Sequence, residues 1–461
     1  MTVGDSPTRI ARIALRDVGP FRDVLLEFPP GNDPTRADVY LLTGQNGTGK
    51  STILYALAAA LQCGHSRLGG EGPPQMHQHS IARRFRTPTA AIAIDTGRFH
   101  RVVAWKRLDG VQRESITDPI GGSDLRRYLI PGDLAYYGDE HGVGRYDEAV
   151  GLFDVKRPLS WAAFAYAGKR SIQRGTIEAI VEPRTPPFEN SLSFDQSTDS
   201  GLLVCWIASQ QFKHLKARMA GDELRAARFQ RSITDIARIV GELVDDPTFE
   251  FDTGTVDDND VRVRYRGEKV DLDLLPDGLK SIVSWIADLL MRLDRTPWVD
   301  DLPVLERPFL LLLDEIDIHL HPAWQRKVLP VVQRMFPNAQ IIASTHSPFV
   351  VASATDAHII SLAMKGAEAA VESVVPGHLG ISYSAVLRSI FGIDSEFDVD
   401  TEAKFDEFRA ARDRLLRGES TDRAPVDELA RQLSERSEEV AQLIGYELRQ
   451  LDRLLAQRAT G

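Results

Sequence analysis

Residues 44–51 read Gly44-Gln45-Asn46-Gly47-Thr48-Gly49-Lys50-Ser51, preceded by an apolar run at 39–43 and followed by Thr52 and a helix-favouring stretch to residue 62. An apolar strand that enters a glycine-rich turn and leaves it as a helix fits the pattern G-x-x-x-x-G-K-[ST], in which each residue type has a physical task. The glycines let backbone N–H groups face phosphate oxygens, and the new helix offers its positive end to them. The lysine reaches the β and γ phosphates, and the hydroxyl of Ser51 ligates Mg²⁺. Asn46, Gly47, Thr48, Gly49, Lys50, Ser51 and Thr52 are therefore the expected nucleotide contacts, with ATP and Mg²⁺ as the expected ligands.

Farther along, Phe309-Leu310-Leu311-Leu312-Leu313 reads as a strand buried on both faces, and it ends in Asp314-Glu315. A carboxylate at the end of such a strand holds Mg²⁺, which makes Asp314 the second expected metal ligand beside Ser51. General-base chemistry needs a carboxylate just past that ligand, so Glu315 is expected to orient and deprotonate the attacking water. A further apolar strand at 340–344 leads into Thr345-His346-Ser347, where an imidazole can touch the γ phosphate. Lys50, Glu315 and His346 are the expected catalytic residues of an ATPase that yields ADP and phosphate.

These pieces, together with Gly19-Pro20-Phe21, FAYAGKR at 164–170, LPDGLKS at 275–281, LLLLDEIDIHLHPAWQ at 310–325 and STHSPFV at 344–350, resemble the ABC-type ATPases grouped with SMC, RecF and OLD proteins. The chain is similar to the standalone bacterial AAA-family members of anti-phage systems, the Septu ATPase subunits among them, and the matching segments span most of residues 1–366. The resemblance implies an α/β fold, an ABC-type P-loop NTPase with an appended α-helical C-terminal domain. It implies that LPDGLKS is the signature segment, which caps the γ phosphate of a second copy, so that Asp277 and Gly278 join the nucleotide contacts across a head-to-tail homodimer. It implies a switch as well. ATP joins the ATPase domains, hydrolysis parts them, and the change of shape controls a separately encoded effector, a nuclease by family inference.

Two other readings stand beside that one: a RecF-like ATPase that clamps DNA, and an ATP-binding scaffold with little turnover. The position usually filled by serine in the signature is Pro276, which has no hydroxyl and no N–H to offer, so slow turnover is expected. Gln173, shortly after FAYAGKR, is the choice for the family's Q-loop glutamine.

Other constellations weigh less. His319 and His321, with His346, have no third ligand at a fixed local spacing, and the family segment there is the dimer-contacting D-loop. Asp398 and Asp400 end no apolar strand, which argues against a nuclease DxD. The clusters Arg83-Arg84-Arg86, Lys213-Lys216-Arg218, Arg225-Arg228-Arg231 and Arg262-Arg264-Arg266 read as solvated faces or as a local nucleic-acid groove.

Composition sets the frame. The 461 residues allow two or three compact units, and 43% hydrophobic content suffices for a packed core. A formal charge of -11 argues against a protein that coats nucleic acid by neutralising phosphates, so any DNA contact is local. No apolar run approaches the roughly 18 to 20 residues that cross a bilayer, and the first residues lack a signal-peptide core, which points to a cytoplasmic protein away from membranes. Cys63 and Cys205 cannot build a disulfide framework. The expected organisation is an ATPase domain at 1–366, carrying a helical hairpin insertion at about 201–246, and an acidic, mainly helical domain at 367–461. In that last domain the apolar spacing from Leu429 to Leu455 suits packing on another helix or on a second copy, and a pair or a higher oligomer is expected.

Overall fold

The computed structural model describes residues 9–62, 81–95 except 82, 88 and 89, the strands 101–107 and 113–119, 158–168, 183–194 except 184 and 189, 200–252, 261–377, 380–395 and 397–460. The strands among them are β1 (Arg12–Val18), β2 (Phe21–Glu27), β3 (Asp38–Gly44), β4 (Ala91–Asp95), β5 (Arg101–Arg107), β6 (Arg113–Pro119), β7 (Ala162–Tyr166), β8 (Glu250–Asp252), β9 (Arg262–Tyr265), β10 (Glu268–Asp271), β11 (Phe309–Leu313), β12 (Ala339–Ser344), β13 (Ala357–Lys365) and β14 (Glu368–Pro376). The chain divides into two compact units, 1–386 and 387–461.

The central sheet has the order β14-β13-β3-β12-β11-β7, parallel throughout except for the antiparallel edge strand β14. Its strands read as near-continuous apolar runs because both faces are covered, and every residue of β11 and β12 is buried. The strand that ends in the phosphate loop and the strand that ends in the two acids are not neighbours. β12 lies between them, so its terminal Ser344 sits between the two functional loops. A second, antiparallel sheet runs β2-β1-β4-β5-β6, and β8 to β10 form a small third sheet.

The hairpin helices occupy Ser200–Met219 and Glu223–Val244, and the break falls at Gly221, whose φ of +74° suits a residue without a side chain. Asp222 caps the second helix by accepting from Arg225 N–H. A helix at Asp277–Arg295 buries Leu279, Ile282, Trp285, Ile286, Leu289 and Leu293 at helical spacing against the same core. At its far end Asp294 accepts hydrogen bonds from Gln210 and Ser232, one on each hairpin helix.

The expected boundary near residue 366 needs correction. Residues 368–376 form β14, which pairs with β13 through the two-residue turn Gly366-Ala367, and the first compact unit runs on to Val386. EAAVESVVP carries the alternation of a half-buried edge strand, a signal that the acidic balance of the region concealed. The second unit packs helices Val399–Arg417, Ala424–Ser434 and Glu438–Thr460 around Phe405, Phe408, Leu433, Val440, Ile444 and Leu451. Its apolar stripe therefore packs on the unit's own helices. Leu443, included in that stripe, is 42% exposed.

Candidate nucleotide-binding site

The phosphate loop leaves β3 at Gly44 and becomes a helix at Lys50 (Lys50–Gln62). Gly44 has φ of +134°, and a β-carbon there would lie 2.2 Å from the carbonyl oxygen of Leu362 on β13. Gly49 has φ of +95°, and a β-carbon would strike the ring of Phe21 at 2.5 Å. The turn Gly19-Pro20-Phe21 between β1 and β2 thus presses on the loop from one side. Gln45, Asn46 and Gly47 are exposed at the rim, and the Thr48 hydroxyl closes the turn by donating to the carbonyl of Gln45 at 2.8 Å.

The Lys50 ammonium curls back over the loop, donating to the carbonyls of Gly44 at 2.9 Å and Gln45 at 3.0 Å. Burial holds its pKa below the ordinary lysine value, opposed by the negative charges of Asp314, Glu315 and Asp317. Ser51 donates to Oδ1 of Asp314 at 3.0 Å, and Ser344 donates to the same oxygen at 2.6 Å. The backbone N–H of Glu315 in turn donates to Ser344 Oγ at 2.7 Å. Glu315 has φ of +48°, in the left-handed region that costs an L-residue of order 1 kcal/mol or more. Its carboxylate reaches the neighbourhood of Gly168, where a β-carbon would lie 2.8 Å from Oε2. The hydrogen bond from Asp314 N–H to the carbonyl of Tyr166 secures the same corner.

His346 follows β12, and its backbone N–H donates to Asp317 Oδ1 at 3.3 Å, beside the Thr345 hydroxyl, which donates to that oxygen at 2.7 Å. Burial, then the positive charge of Lys50, holds the imidazole below its ordinary pKa, against the pull of Asp317, Glu315 and Asp314. The ring feels all of these charges because the loop lysine, the two strand-end acids and the histidine share one locality. Ser347 caps the next short helix and donates to Oε1 of Gln325 at 2.6 Å, while Gln325 ties down the carbonyls of Asp317 and Leu320.

Lys50, Ser51, Asp314, Glu315 and His346 are brought together as expected from their motifs. Thr52 is different: it is buried and its hydroxyl accepts a hydrogen bond from Arg84 at 2.8 Å. Asp277 and Gly278 open the helix Asp277–Arg295, with Pro276 as its N-cap. Asp277 is exposed and pairs with Lys280 on its own helix. Gly278 lies against the turn after the acids, where a β-carbon would be 2.5 Å from the carbonyl oxygen of His319. Gly278 also lies against the Trp324 ring, and among the described residues no recorded contact joins Asp277 or Gly278 to the phosphate loop. Lys169, Arg170 and Gln173 lie outside the described residues.

Ser344, Asp317, Gln325 and Gly168 were present in the quoted motifs without an assigned role. Arg262 and Arg264 pair with Asp271 and Glu250 of their own sheet, while the Arg266 guanidinium lies over the Tyr265 ring. Asp398 caps the helix Val399–Arg417 by accepting from Asp400 and Thr401 N–H groups. The donor set at Asp314 is a carboxylate and a hydroxyl, hard oxygens of the kind Mg²⁺ takes when phosphates and water complete its shell. Among the described residues no group of three or more His, Cys, Asp or Glu side chains could hold a metal ion unaided. Nor is any helix among them long and apolar enough to cross a membrane.

Residues 176–352 match the family described as "AAA domain, putative AbiEii toxin, Type IV TA system", and residues 12–97 match one described as "AAA domain". The chain is 36% identical over 391 residues to the "Retron Ec83 probable ATPase" of Escherichia coli, covering 74% of this chain and 69% of that protein. It is 30% identical over 154 residues to the "Septu protein PtuA" of Bacillus thuringiensis, a match that spans 32% of this chain and 39% of that protein. Among solved structures, the SMC head domain from Thermotoga maritima is 14% identical, covering 80% of this chain and 100% of that one, with a TM-score of 0.40.

Proposed function

We propose, from the premise that this chain belongs to the family of the retron Ec83 probable ATPase, that it is the ATP-driven switch subunit of a bacterial anti-phage system. The observation that carries the reading is the junction at Asp314. Two hydroxyls, one following the phosphate loop and one ending β12, meet a single carboxylate oxygen, and the candidate base is the next residue.

In this reading the loop N–H groups and the start of the helix Lys50–Gln62 bind the β and γ phosphates of ATP. Lys50 exchanges its two carbonyl partners for phosphate oxygens. Mg²⁺, held by Ser51 and Asp314, supplies neutralisation of phosphate charge when bound. Glu315 takes a proton from a water aligned with the γ phosphate, and its left-handed backbone, secured by Ser344 and closed in by Gly168, aims the carboxylate away from the strand. His346, whose pKa burial lowers in the free protein, offers the γ phosphate an N–H. Asp277 and Gly278 complete the site of a second copy, and the closeness of Gly278 to the His319 carbonyl links that role to the turn after the acids. Pro276 removes one phosphate contact and makes turnover slow.

ATP-dependent pairing, and through it control of a separately encoded nuclease, is the output. Phosphate release and light scattering test it together. The Glu315→Gln chain should pair in ATP without releasing phosphate, and Lys50→Ala should remain single. A chain whose mass and phosphate release ignore nucleotide would sink the proposal. Loss of phage protection on removing the partner nuclease is the expected cellular result.

A further inference from the structure

The turn that follows the two acids is held in an unfavourable shape. Glu315 has φ of +48° and His319 has φ of +62°, a backbone region that residues with a β-carbon rarely adopt. Such a turn persists only where its surroundings leave it no alternative. Inside it, Ile318 N–H donates to the carbonyl of Glu315 at 3.2 Å and Leu320 N–H to that of Asp317 at 3.1 Å. Gln325, in the first turn of the helix Pro322–Met335, adds a clamp from outside. Its Nε2 donates to the carbonyls of Asp317 at 3.3 Å and Leu320 at 2.9 Å, and its Oε1 accepts from the Ser347 hydroxyl at 2.6 Å.

Both donors and the oxygen of that amide are therefore in use. The residue type matters, because two carbonyls and a hydroxyl are held at one point. A carboxylate of the same shape has no N–H for the carbonyls, and the cationic side chains have no acceptor for the hydroxyl.

Across from the turn runs the segment that follows β12. The Thr345 hydroxyl donates to Asp317 Oδ1 at 2.7 Å, His346 N–H donates to the same oxygen at 3.3 Å, and the Ser347 hydroxyl reaches Gln325. Ser347 N–H also donates to Thr345 Oγ1 at 3.0 Å. Three consecutive residues are thus fastened to one turn, and the middle one carries the imidazole. Without Gln325, the far side of His346 loses its tie to that turn, and only the bonds to Asp317 remain.

We propose that Gln325 is a positioning residue: by fixing Ser347 to the turn after the acids, it sets the His346 ring where the γ phosphate is to lie. This rests on the nucleotide reading of the site and adds to it a residue that touches neither nucleotide nor water. Its effect belongs to the rate of phosphate release rather than to the affinity for ATP, which the phosphate loop supplies.

The test measures single-turnover phosphate release and ATP affinity on the full chain, for Gln325→Leu, for His346→Gln and for the two combined. Gln325→Leu should slow release by tenfold to a hundredfold, the order that a misplacement of about 1 Å costs, while ATP affinity changes by less than about threefold. Added to His346→Gln, the same substitution should slow release by less than about twofold more, because the group it acts through is gone. A wild-type rate in Gln325→Leu, or an equal loss with and without His346, overturns the proposal. So does a loss of affinity as large as the loss of rate, which a collapse of the turn would produce. Ser347→Ala cuts the same tie from its other end and decides the matter if Gln325→Leu does not fold: release should slow by a similar factor, and a wild-type rate overturns the proposal. A wild-type chain that binds no ATP refutes the reading of the site itself, a result distinct from any of these.

Discussion

Ser51 donates its hydroxyl hydrogen to Oδ1 of Asp314 across 3.0 Å, although the two residues stand 263 positions apart in the chain. β12 lies between the strand that leads into the phosphate loop and the strand that ends just before Asp314, and its Ser344 binds the same oxygen. If this junction is the metal site, Ser51→Ala should raise the Mg²⁺ concentration for half-maximal ATP binding by about tenfold, and Asp314→Asn by more. Titrating Mg²⁺ against fluorescent ATP reads both. An unaltered Mg²⁺ requirement in Asp314→Asn would remove Asp314 from the metal site.

Glu315 should matter to chemistry and little to binding. Loss of a positioned general base costs on the order of a hundredfold to ten-thousandfold in rate. Single-turnover phosphate release by Glu315→Gln should fall by that range while ATP stays bound. Release at the wild-type rate would assign the base elsewhere.

His346 predicts a pH dependence with a definite sign. Its pKa in the folded chain lies below the ordinary 6.5 because of burial and then of Lys50. Between those two values the unfolded chain binds the extra proton, so the free protein gains stability as pH rises through that window and loses it as pH falls. A triphosphate brings negative charge to the ring and raises its proton affinity. ATP binding near pH 6.5 should then take up a proton, seen as a buffer-dependent heat in calorimetry. The uptake should vanish in His346→Gln; uptake of the same size in that variant would place the titrating group elsewhere.

Two loop glycines separate strain from collision. Gly47 has φ of +82° and open space where a β-carbon would stand, so Gly47→Ala should cost about 1 kcal/mol. Gly44→Ala meets the Leu362 carbonyl as well as an unfavourable φ, and should cost at least about 3 kcal/mol. Urea midpoints at unchanged slope measure both. Equal losses would mean that β13 yields to the new methyl group.

Much of the site could be read before any tertiary contact was known, because its residues occur as compact motifs at the ends of apolar runs. Lys50 and Ser51 follow one strand, Asp314 and Glu315 end another, and His346 follows a third. The edge strand β14 escaped because its alternation lies within an acidic stretch, where charge outweighed period. Arg84 escaped because nothing in its local sequence distinguishes it from Arg83 or Arg86. Its placement comes from Thr52 and Tyr55, which lie far from it in the chain.

Short-range chemistry settled the elements: apolar runs of strand length become buried strands, glycines turn the loop, and a lysine and hydroxyl open the helix after it. Strand order belongs to the folded molecule alone. The placing of β12 between β3 and β11 puts Ser344 on Asp314 and under the Glu315 N–H, and the approach of Gly278 to the His319 carbonyl is likewise a contact of the folded chain. Those contacts join segments separated by long stretches of chain, and only the packing of one sheet against its covering helices selects which ends meet.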